Sequence, residues 1–338
     1  MSVATQVTDL TDLRTDLLAR LYEATGVTGT NNIADRYLNI ALHDIHVDPG
    51  NNWPWAVRRG QILTHARYTT GTVSITEAAR TTVTGSSTLW NTAVTGMGYN
   101  NTRAGGKMTF SGQPYVFEVS AVGSDTSITL TDRWPGDALS GANYTYFEDE
   151  YSLASDFFRL ADVRSFSDDM KIATLGPQEF RRRFPRNSTT GRPLKATVIQ
   201  LGFSGSTTPQ YRVAFAPAPD TVYQVPYTYI TTNLAVSSAG VEQTQLTAAS
   251  DEPIVPLRYR HALVFHALYN WYRDRHDDTR SAEAKAEYVE IVQRMAGDSY
   301  TAQDLPRFVP NMFPRQRRRS SRFAIGNGII DSNGNVGD

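Results

Sequence analysis

Leucines recur at three- and four-residue steps near the start of the chain, and this spacing predicts an amphipathic helix. Aspartates fill the positions between the first leucines, as is typical of the first turns of a helix, and Gly26 is expected to end it. The apolar face consists of Leu10, Leu13, Leu17, Leu18 and Leu21.

A second helix is predicted from about Asn32, and Pro49-Gly50 is expected to stop it. Its predicted apolar face consists of Ile33, Tyr37, Ile40, Ala41 and Ile45. A Trp-Pro-Trp sequence follows at residues 53–55, and residues 61–64 have the pattern of a strand.

The strongest helical pattern lies towards the other end of the chain, after Asp251-Glu252-Pro253. Residues 276–279, His-Asp-Asp-Thr, are expected to interrupt it, and a further helix is predicted from Ser281 to an end at Gly297. The apolar positions of the first part are Leu257, Leu263, Val264, Ala267, Leu268 and Trp271.

Between these helices the composition changes at Thr72 to threonine, serine, glycine and β-branched residues. Short strand patterns separated by turn signals occupy residues 72–76, 81–84, 107–110, 115–122, 127–131 and 143–147. They predict a small antiparallel β-barrel or sandwich inserted into a parent domain. Parent strands are predicted at 157–163, 196–201, 211–215 and 221–230, with a short helix at 177–184.

The fold class expected from these elements is α+β, with a helical core that also contains strands. Residues 1–71 and 148–299 are predicted to form the core domain, residues 72–147 the inserted β module, and residues 300–338 an extended C-terminal arm.

The predicted arm combines large apolar residues with arginines but has no helical or strand periodicity. Pro306, Pro310 and Pro314 favour an extended backbone, because proline fixes φ and removes a hydrogen-bond donor. An extended segment with regular apolar positions is expected to lie on another protein. The residues expected to anchor it are Phe308, Met312, Phe313, Arg315, Arg317, Arg318, Arg319, Arg322, Phe323 and Ile325.

Charge and cysteine content narrow the classes of function. The net charge of the whole chain is −1, which does not favour a general nucleic-acid or membrane-surface binder, whereas residues 301–338 alone carry +3. The chain contains no cysteine, so disulfides, thiolate chemistry and cysteine-bound zinc are excluded. No signal peptide or membrane-spanning segment is predicted, and folding in a cytosol is expected.

Two clusters of polar residues are candidates for chemistry. His43, His46 and Asp48 could bind a metal ion at one helix end, but two histidines in such a position are more often solvated. His261 and His266 are expected to pack beside aromatic residues. The consecutive acids of residues 148–150 could supply a general acid and base, but an acidic turn between domains is the favoured interpretation. No metal site, catalytic residue or cofactor is predicted.

The sequence QEFRRRFPR concentrates positive charge at Arg181, Arg182, Arg183 and Arg186. A solvated face is the common outcome for such a run, and contact with a neighbouring subunit's acids or with DNA is the functional alternative. Three tryptophans, Trp53, Trp55 and Trp271, are expected to anchor the core.

Several separated segments resemble the head-to-tail adaptor (connector, or neck) proteins of tailed double-stranded-DNA bacteriophages. They are ALHDIHVDPGNNWPWAVRRGQILT, LGPQEFRRRFPRNSTTGRPLKATV with the following YRVAFAPAPDTVYQVPYTYI, and DEPIVPLRYRHALVFHALYNWY with the following AEAKAEYVEIVQRMAGD. The resemblance spans most of residues 8–70 and 151–297. The segment YVFEVSAVGSDTSITLTDRW is similar to small barrel insertions of phage virion proteins.

The resemblance implies a non-enzymatic virion protein that forms a ring, usually of twelve copies, between the capsid portal and the tail. It implies a portal protein and a tail or nozzle protein as partners, duplex DNA passing through the lumen without sequence-specific contact, and assembly in the host cytoplasm. The C-terminal arm would reach into the portal. Two alternatives stay open: a peptidoglycan-cleaving virion enzyme using residues 148–150, and a receptor- or carbohydrate-binding module using Trp90, Tyr99 and Trp134.

Overall fold

The chain folds as an α+β protein with five α-helices and several mainly antiparallel sheets among the residues described. The structure, a computed structural model, describes residues 7–22, 27–48, 53–165, 170–203 and 209–299, together with the backbone of 329–330 and 336–337. The helices are α1 (Leu10–Leu21), α2 (Thr28–Val47), α3 (Pro177–Arg183), α4 (His261–Asp274) and α5 (Asp278–Ser299).

The strands follow in chain order. The first eight are β1 (Val57–Leu63), β2 (Thr72–Ile75), β3 (Thr82–Ser86), β4 (Lys107–Phe110), β5 (Val116–Ser124), β6 (Ser127–Leu130), β7 (Leu139–Ala142) and β8 (Tyr144–Phe147). The next seven are β9 (Glu150–Ser152), β10 (Phe157–Ser165), β11 (Met170–Lys171), β12 (Ala173–Thr174), β13 (Lys195–Phe203), β14 (Pro209–Ala216) and β15 (Gln224–Thr231). Five two-residue strands complete the series, namely β16 (Ala235–Val236), β17 (Glu242–Gln243), β18 (Glu252–Pro253), β19 (Ile329–Ile330) and β20 (Val336–Gly337).

Helices α1, α2, α4 and α5 pack together into one apolar core, which we call the helical layer. The predicted leucine face of α1 is buried at Leu10, Leu13, Leu17 and Leu18. Asp9 caps this helix by accepting a hydrogen bond from the backbone N–H of Asp12 at 2.9 Å. The acids of the first turn therefore act as a helix start signal.

Helix α2 differs from its prediction in start and in buried face. It begins at Thr28, and its buried face consists of Ala34, Leu38, Ala41, Leu42, Ile45 and His46, whereas the predicted Ile33 is 46% exposed. Ala41 and Ile45 were predicted on this face and are buried, so the prediction is confirmed for these two residues.

The C-terminal helical pattern is interrupted where it was predicted to be. Helix α4 ends at Asp274 and α5 begins at Asp278, and His276 between them takes a left-handed φ of 60°. Helix α5 continues through Gly297 to Ser299, so the prediction that Gly297 ends it is wrong. A single glycine costs a helix only about 1 kcal/mol, and the packing of the preceding turns outweighs it.

Two four-stranded sheets pack against each other and form a second core. Their strand orders are β1-β15-β10-β11 and β12-β13-β14-β9. Phe157, Val213, Phe215 and Val225 are buried between them, as the alternation of apolar residues in these strands requires. We call this pair of sheets the sandwich.

Strands β2 to β8 form a separate seven-stranded antiparallel sheet in the order β7-β2-β3-β6-β5-β4-β8. It is curled into a half-barrel, with β7 and β8 at its two edges, whereas a barrel or sandwich was predicted. Strand β7 was not predicted, because its sequence Leu-Ser-Gly-Ala has a weak strand propensity. We call this element the curled sheet.

Candidate interaction surfaces and the buried ionic joint

The predicted basic cluster lies on and just after α3. Phe180 is the buried residue of this short helix and packs with Ala214 and Ala216 of β14. Arg181, Arg182 and Arg183 follow it and are exposed. Since one apolar residue anchors the helix, its remaining length is free to face solvent.

Only one of the helix's arginines is paired on its own element. Arg183 contacts Glu179 at 2.5 Å, one turn earlier in α3. Among the described residues, Arg181 and Arg182 make no hydrogen bond or ion pair, and Arg186 is likewise exposed and unpaired. The cluster is therefore a surface with available positive charge, which we call the α3 basic surface.

An acidic surface lies on α5. Glu283 and Glu287 are one helical turn apart and exposed, and neither forms an ion pair within the described part of the chain. Like charges at this spacing are mildly unfavourable in an isolated helix. A partner surface of opposite charge would stabilise both this acidic surface and the α3 basic surface.

The acidic run of residues 148–150 begins between the curled sheet and the sandwich, where β8 ends and β9 starts. Glu148 is only 4% exposed. Its Oε1 accepts hydrogen bonds from Arg103 Nε at 2.7 Å and from the Tyr146 hydroxyl at 2.7 Å, and Arg103 Nη2 reaches Oε2 at 2.5 Å. The fork of the guanidinium thus matches the carboxylate in two places.

Asp149 is also buried, with 3% exposure. Lys107 of β4 donates to its Oδ2 at 2.8 Å and also contacts Glu150 at 3.2 Å. Asn187, from the segment after α3, donates to Asp149 Oδ2 at 2.8 Å and to the Phe215 carbonyl oxygen at 2.7 Å. The side chains of Lys107 from the curled sheet and of Asn187 from the segment after α3 therefore meet at this carboxylate.

The pKa values of Lys107 and Asp149 depend on their burial and on their contact with each other. Burial acts to lower the pKa of Lys107, but Asp149 and Glu150 outweigh it, so the pKa of Lys107 is raised. Burial also raises the pKa of Asp149, although Lys107 and Asn187 act against it. We call the group formed by Arg103, Lys107, Glu148, Asp149 and Asn187 the ionic joint.

The ionic joint corrects the interpretation of residues 148–150 as a simple acidic turn. Glu148 and Asp149 are buried ion-pair partners, and each carboxylate is already occupied by a cation and a further donor. Strands β4 and β8 pair antiparallel, with Lys107 opposite Phe147. That register places the cations of residues 103 and 107 beside the acids that follow β8.

Carbohydrate binding by Trp90, Tyr99 and Trp134 would require exposed rings, and the two tryptophans are not exposed. Trp90 and Trp134 are buried in the core of the curled sheet at 0% and 2% exposure. Tyr99 is half-buried, and its ring packs against His65 at 4.7 Å. The two tryptophans therefore present no stacking surface to a ligand.

The three expected core anchors lie in or beside the helical layer. Trp53 is 1% exposed, and its Nε1 donates to the Ile45 carbonyl oxygen at 2.7 Å, while Trp55 is half-buried and stacks on it at 5.8 Å. Trp271 is 4% exposed and meets Tyr37 of α2 edge-on at 5.5 Å.

The candidate histidines divide between surface and core. His43 is exposed, whereas His46 is buried against Phe158 at 5.1 Å, so the expectation that both are solvated is wrong for His46. His266 is buried and packs against Tyr288 at 4.7 Å, whereas the half-buried His261 contacts Asp16 at 3.5 Å. Within the described ranges, no group of three or more histidines and acids is arranged to hold a metal ion.

The anchor residues of the predicted arm, residues 308–325, lie outside the described residues. From 300 onward the structure describes only β19 and β20, which pair antiparallel.

Comparison with known proteins adds no relationship: neither a protein-family model nor a curated protein matches the chain. In the part of the chain that the structure describes, no helix combines the length and apolar character needed to cross a bilayer.

Proposed function

We propose that this protein is a non-enzymatic head-to-tail adaptor of a tailed bacteriophage. In this proposal its copies form a ring, of twelve subunits by resemblance, between the capsid portal and a tail or nozzle protein. Duplex DNA passes through the lumen of the ring without sequence-specific contact. The protein acts in the virion neck.

The arrangement of the chain supports this proposal. The segments that carry the resemblance form the helical layer and the sandwich, and the curled sheet is inserted between them in sequence. The two acids considered for catalysis, Glu148 and Asp149, form ion pairs with Arg103 and Lys107 in the ionic joint and so connect the curled sheet to the segment that leads into the sandwich. A structural subunit requires such connections and does not require a reactive group.

The observation that carries the ring is the presence of two oppositely charged, unpaired surfaces on one subunit. A closed ring needs a heterologous contact, in which two different surfaces of the same chain meet in neighbouring copies. Arg181 and Arg182 of the α3 basic surface face Glu283 and Glu287 of the next subunit in this proposal. Their opposite charges also favour one relative orientation of the copies.

The predicted C-terminal arm is proposed as the portal anchor. Its apolar and arginine residues would bind in grooves of the portal, with the arginines facing portal carboxylates. Repetition of one weak arm contact around a ring would multiply its strength.

The test of the ring contact is charge reversal. The variant Arg181→Glu/Arg182→Glu should remain folded but lose ring formation on the portal of the same phage, measured by light scattering and particle imaging. Adding Glu283→Arg/Glu287→Arg should restore rings, because the contact then has the opposite polarity. A control variant, Arg133→Glu, changes an exposed arginine of the curled sheet and should still form rings.

Rings that persist in the first variant, or that fail to return in the combined variant, would contradict the proposed contact. A wild-type protein that neither binds the portal nor forms a ring would contradict the adaptor function itself.

A further inference from the structure

A polar cleft lies where the curled sheet meets the segment after α3. Its volume is about 390 Å³, near the lower end of the range for small-molecule sites. The turn between β4 and β5, the start of β8 and the residues Arg186 and Ser188 form its walls. Its polar lining includes Thr109, Gln113, Asn143, Thr145, Arg186 and Ser188.

The lining groups are available to a ligand. Thr109 and Thr145 lie opposite each other in the β4–β8 pair, so their hydroxyls are neighbours. The amide side chains of Gln113 and Asn143 are exposed. Within the described residues, none of these four side chains forms a hydrogen bond, and amides and hydroxyls can both donate and accept.

The position of Arg186 is fixed by its neighbour in the ionic joint. Asn187 takes a left-handed φ of 39° and is held by its two side-chain hydrogen bonds, to Asp149 and to the Phe215 carbonyl oxygen. This anchoring holds Arg186 and Ser188 at the cleft wall. Arg186 therefore brings one unpaired guanidinium to an otherwise neutral polar site.

An aromatic ring stands at the same cleft. Tyr115 is 46% exposed, and its ring meets Phe117 at 6.2 Å and Trp134 at 6.3 Å. Both of these neighbours are buried. The Tyr115 ring thus packs on two core residues of the curled sheet and remains partly exposed. An aromatic ring held in this way loses little conformational entropy when it binds a ligand.

We propose that this cleft binds a sugar that carries a carboxylate. The face of Tyr115 stacks on the C–H face of the sugar ring, and the guanidinium of Arg186 pairs with the carboxylate in a two-pronged contact. The free amides and hydroxyls satisfy the sugar hydroxyls. This proposal goes beyond the adaptor function and does not depend on ring formation.

The composition of the cleft distinguishes a sugar from other ligands. A nucleic-acid backbone presents repeated phosphates and is bound by several cations, whereas the lining has one. A peptide docking by apolar anchors requires an apolar groove, whereas here polar groups predominate around one exposed ring. Multiple hydroxyls of a sugar match the several neutral donors and acceptors.

The test measures binding of digalacturonic acid and of its neutral counterpart digalactose to the full chain by calorimetry. The wild-type protein should bind the acidic disaccharide more tightly. Arg186→Gln should weaken the binding of the acidic disaccharide by about tenfold or more, because a hydrogen bond to a charged group is lost. The affinity for the neutral disaccharide should not change. Tyr115→Ala should weaken the binding of both disaccharides, and Arg133→Gln, at an exposed arginine outside the cleft lining, should change the binding of neither.

Absence of binding by the wild-type chain to both disaccharides would overturn the proposal. It would also be overturned if Arg186→Gln and Tyr115→Ala bound both sugars as the wild type does, or if a single-stranded oligothymidine occupied the cleft and displaced the sugar.

Discussion

Lys107 and Asp149 connect the curled sheet to the sandwich through one buried contact. Lys107 belongs to β4, and Asp149 precedes β9. Breaking a buried ion pair by removing one member is costly, because the other charge is left without a partner. The two residues therefore matter more to stability than an exposed pair of the same types.

Lys107→Met should lower the free energy of unfolding by about 3 kcal/mol at neutral pH. The loss should shrink as the pH falls, because the unpaired Asp149, whose pKa is already raised by burial, then takes up a proton. Urea unfolding at several pH values measures both effects.

The matched control is Lys171→Met. Lys171 contacts Asp162 at 3.4 Å with its side chain 69% exposed, so the expected change is below about 0.5 kcal/mol. Equal losses for the two lysine variants would contradict a special role for the ionic joint.

Buried His46 and His266 should make the protein less stable in mild acid. Burial lowers the pKa of both, from an ordinary value of 6.5, with Asp44 acting in the opposite direction at His266. Below that value the unfolded chain binds protons that the folded state does not. Stability is therefore retained above pH 6.5 and is lost as the pH falls through it, by up to about 1.4 kcal/mol per pH unit for each histidine.

Unfolding of the wild type and of His46→Gln/His266→Gln should be compared between about pH 7.5 and pH 5.5. The double variant should have a shallower dependence, whereas His43→Gln, at an exposed position of the same helix, should behave as the wild type does. An unchanged slope in the double variant would contradict the assignment.

Trp53 joins its segment to α2 by packing and by one hydrogen bond. Trp53→Ala should lower the free energy of unfolding by about 3–5 kcal/mol, since it removes a large side chain that is 1% exposed and leaves the Ile45 carbonyl oxygen without its donor. Chemical denaturation measures this loss. A loss below about 0.5 kcal/mol would mean that the site closes over the missing ring or that Trp53 is not a core residue.

At the scale of elements, local patterns predicted more than long-range contacts did. The leucine period of α1 and the interruption after α4 were both visible in the sequence. The burial of Glu148 was not, because its partner Arg103 lies 45 residues earlier and becomes a neighbour only through the pairing of β4 with β8. The buried face of α2 was predicted only in part: Ala41 and Ile45 are buried, whereas the predicted Ile33 is exposed.

The curled sheet should be removable if its connections are treated together. Tyr68 and Tyr146 pair by two backbone hydrogen bonds, of 2.9 and 2.8 Å, so the two ends of the insertion lie side by side. A short Gly/Ser loop can therefore replace residues 72–145. The excision removes Arg103 and Lys107, so the variant should also carry Glu148→Gln and Asp149→Asn.

This excised variant should unfold cooperatively and keep the helical content of the wild type, as measured by circular dichroism and gel filtration. The same excision with Glu148 and Asp149 retained should be less stable, because two buried carboxylates lose their cations. Failure of both variants to fold would mean that the curled sheet is required for folding of the remaining elements.

At the scale of the molecule, the sequence indicated an α+β fold with a β insertion, and the structure has this organisation. The pairing of two parent sheets into a sandwich was not predicted, because strand patterns do not specify which strands become neighbours. The cleft around Arg186 and Tyr115 was missed for the same reason, since its walls come from residues far apart in sequence. Its sequence signal is weak, because amides and hydroxyls are common in turns.

The most direct test of the adaptor proposal is where the protein lies in a phage particle. Under this proposal, cryo-electron microscopy of intact phage particles that contain this chain should reveal a ring between portal and tail. The helical layer and the sandwich should fit each subunit of that ring, and the central channel of the ring should continue the portal channel. A neck density that does not fit this fold, or placement of the chain elsewhere in the particle, would contradict the account.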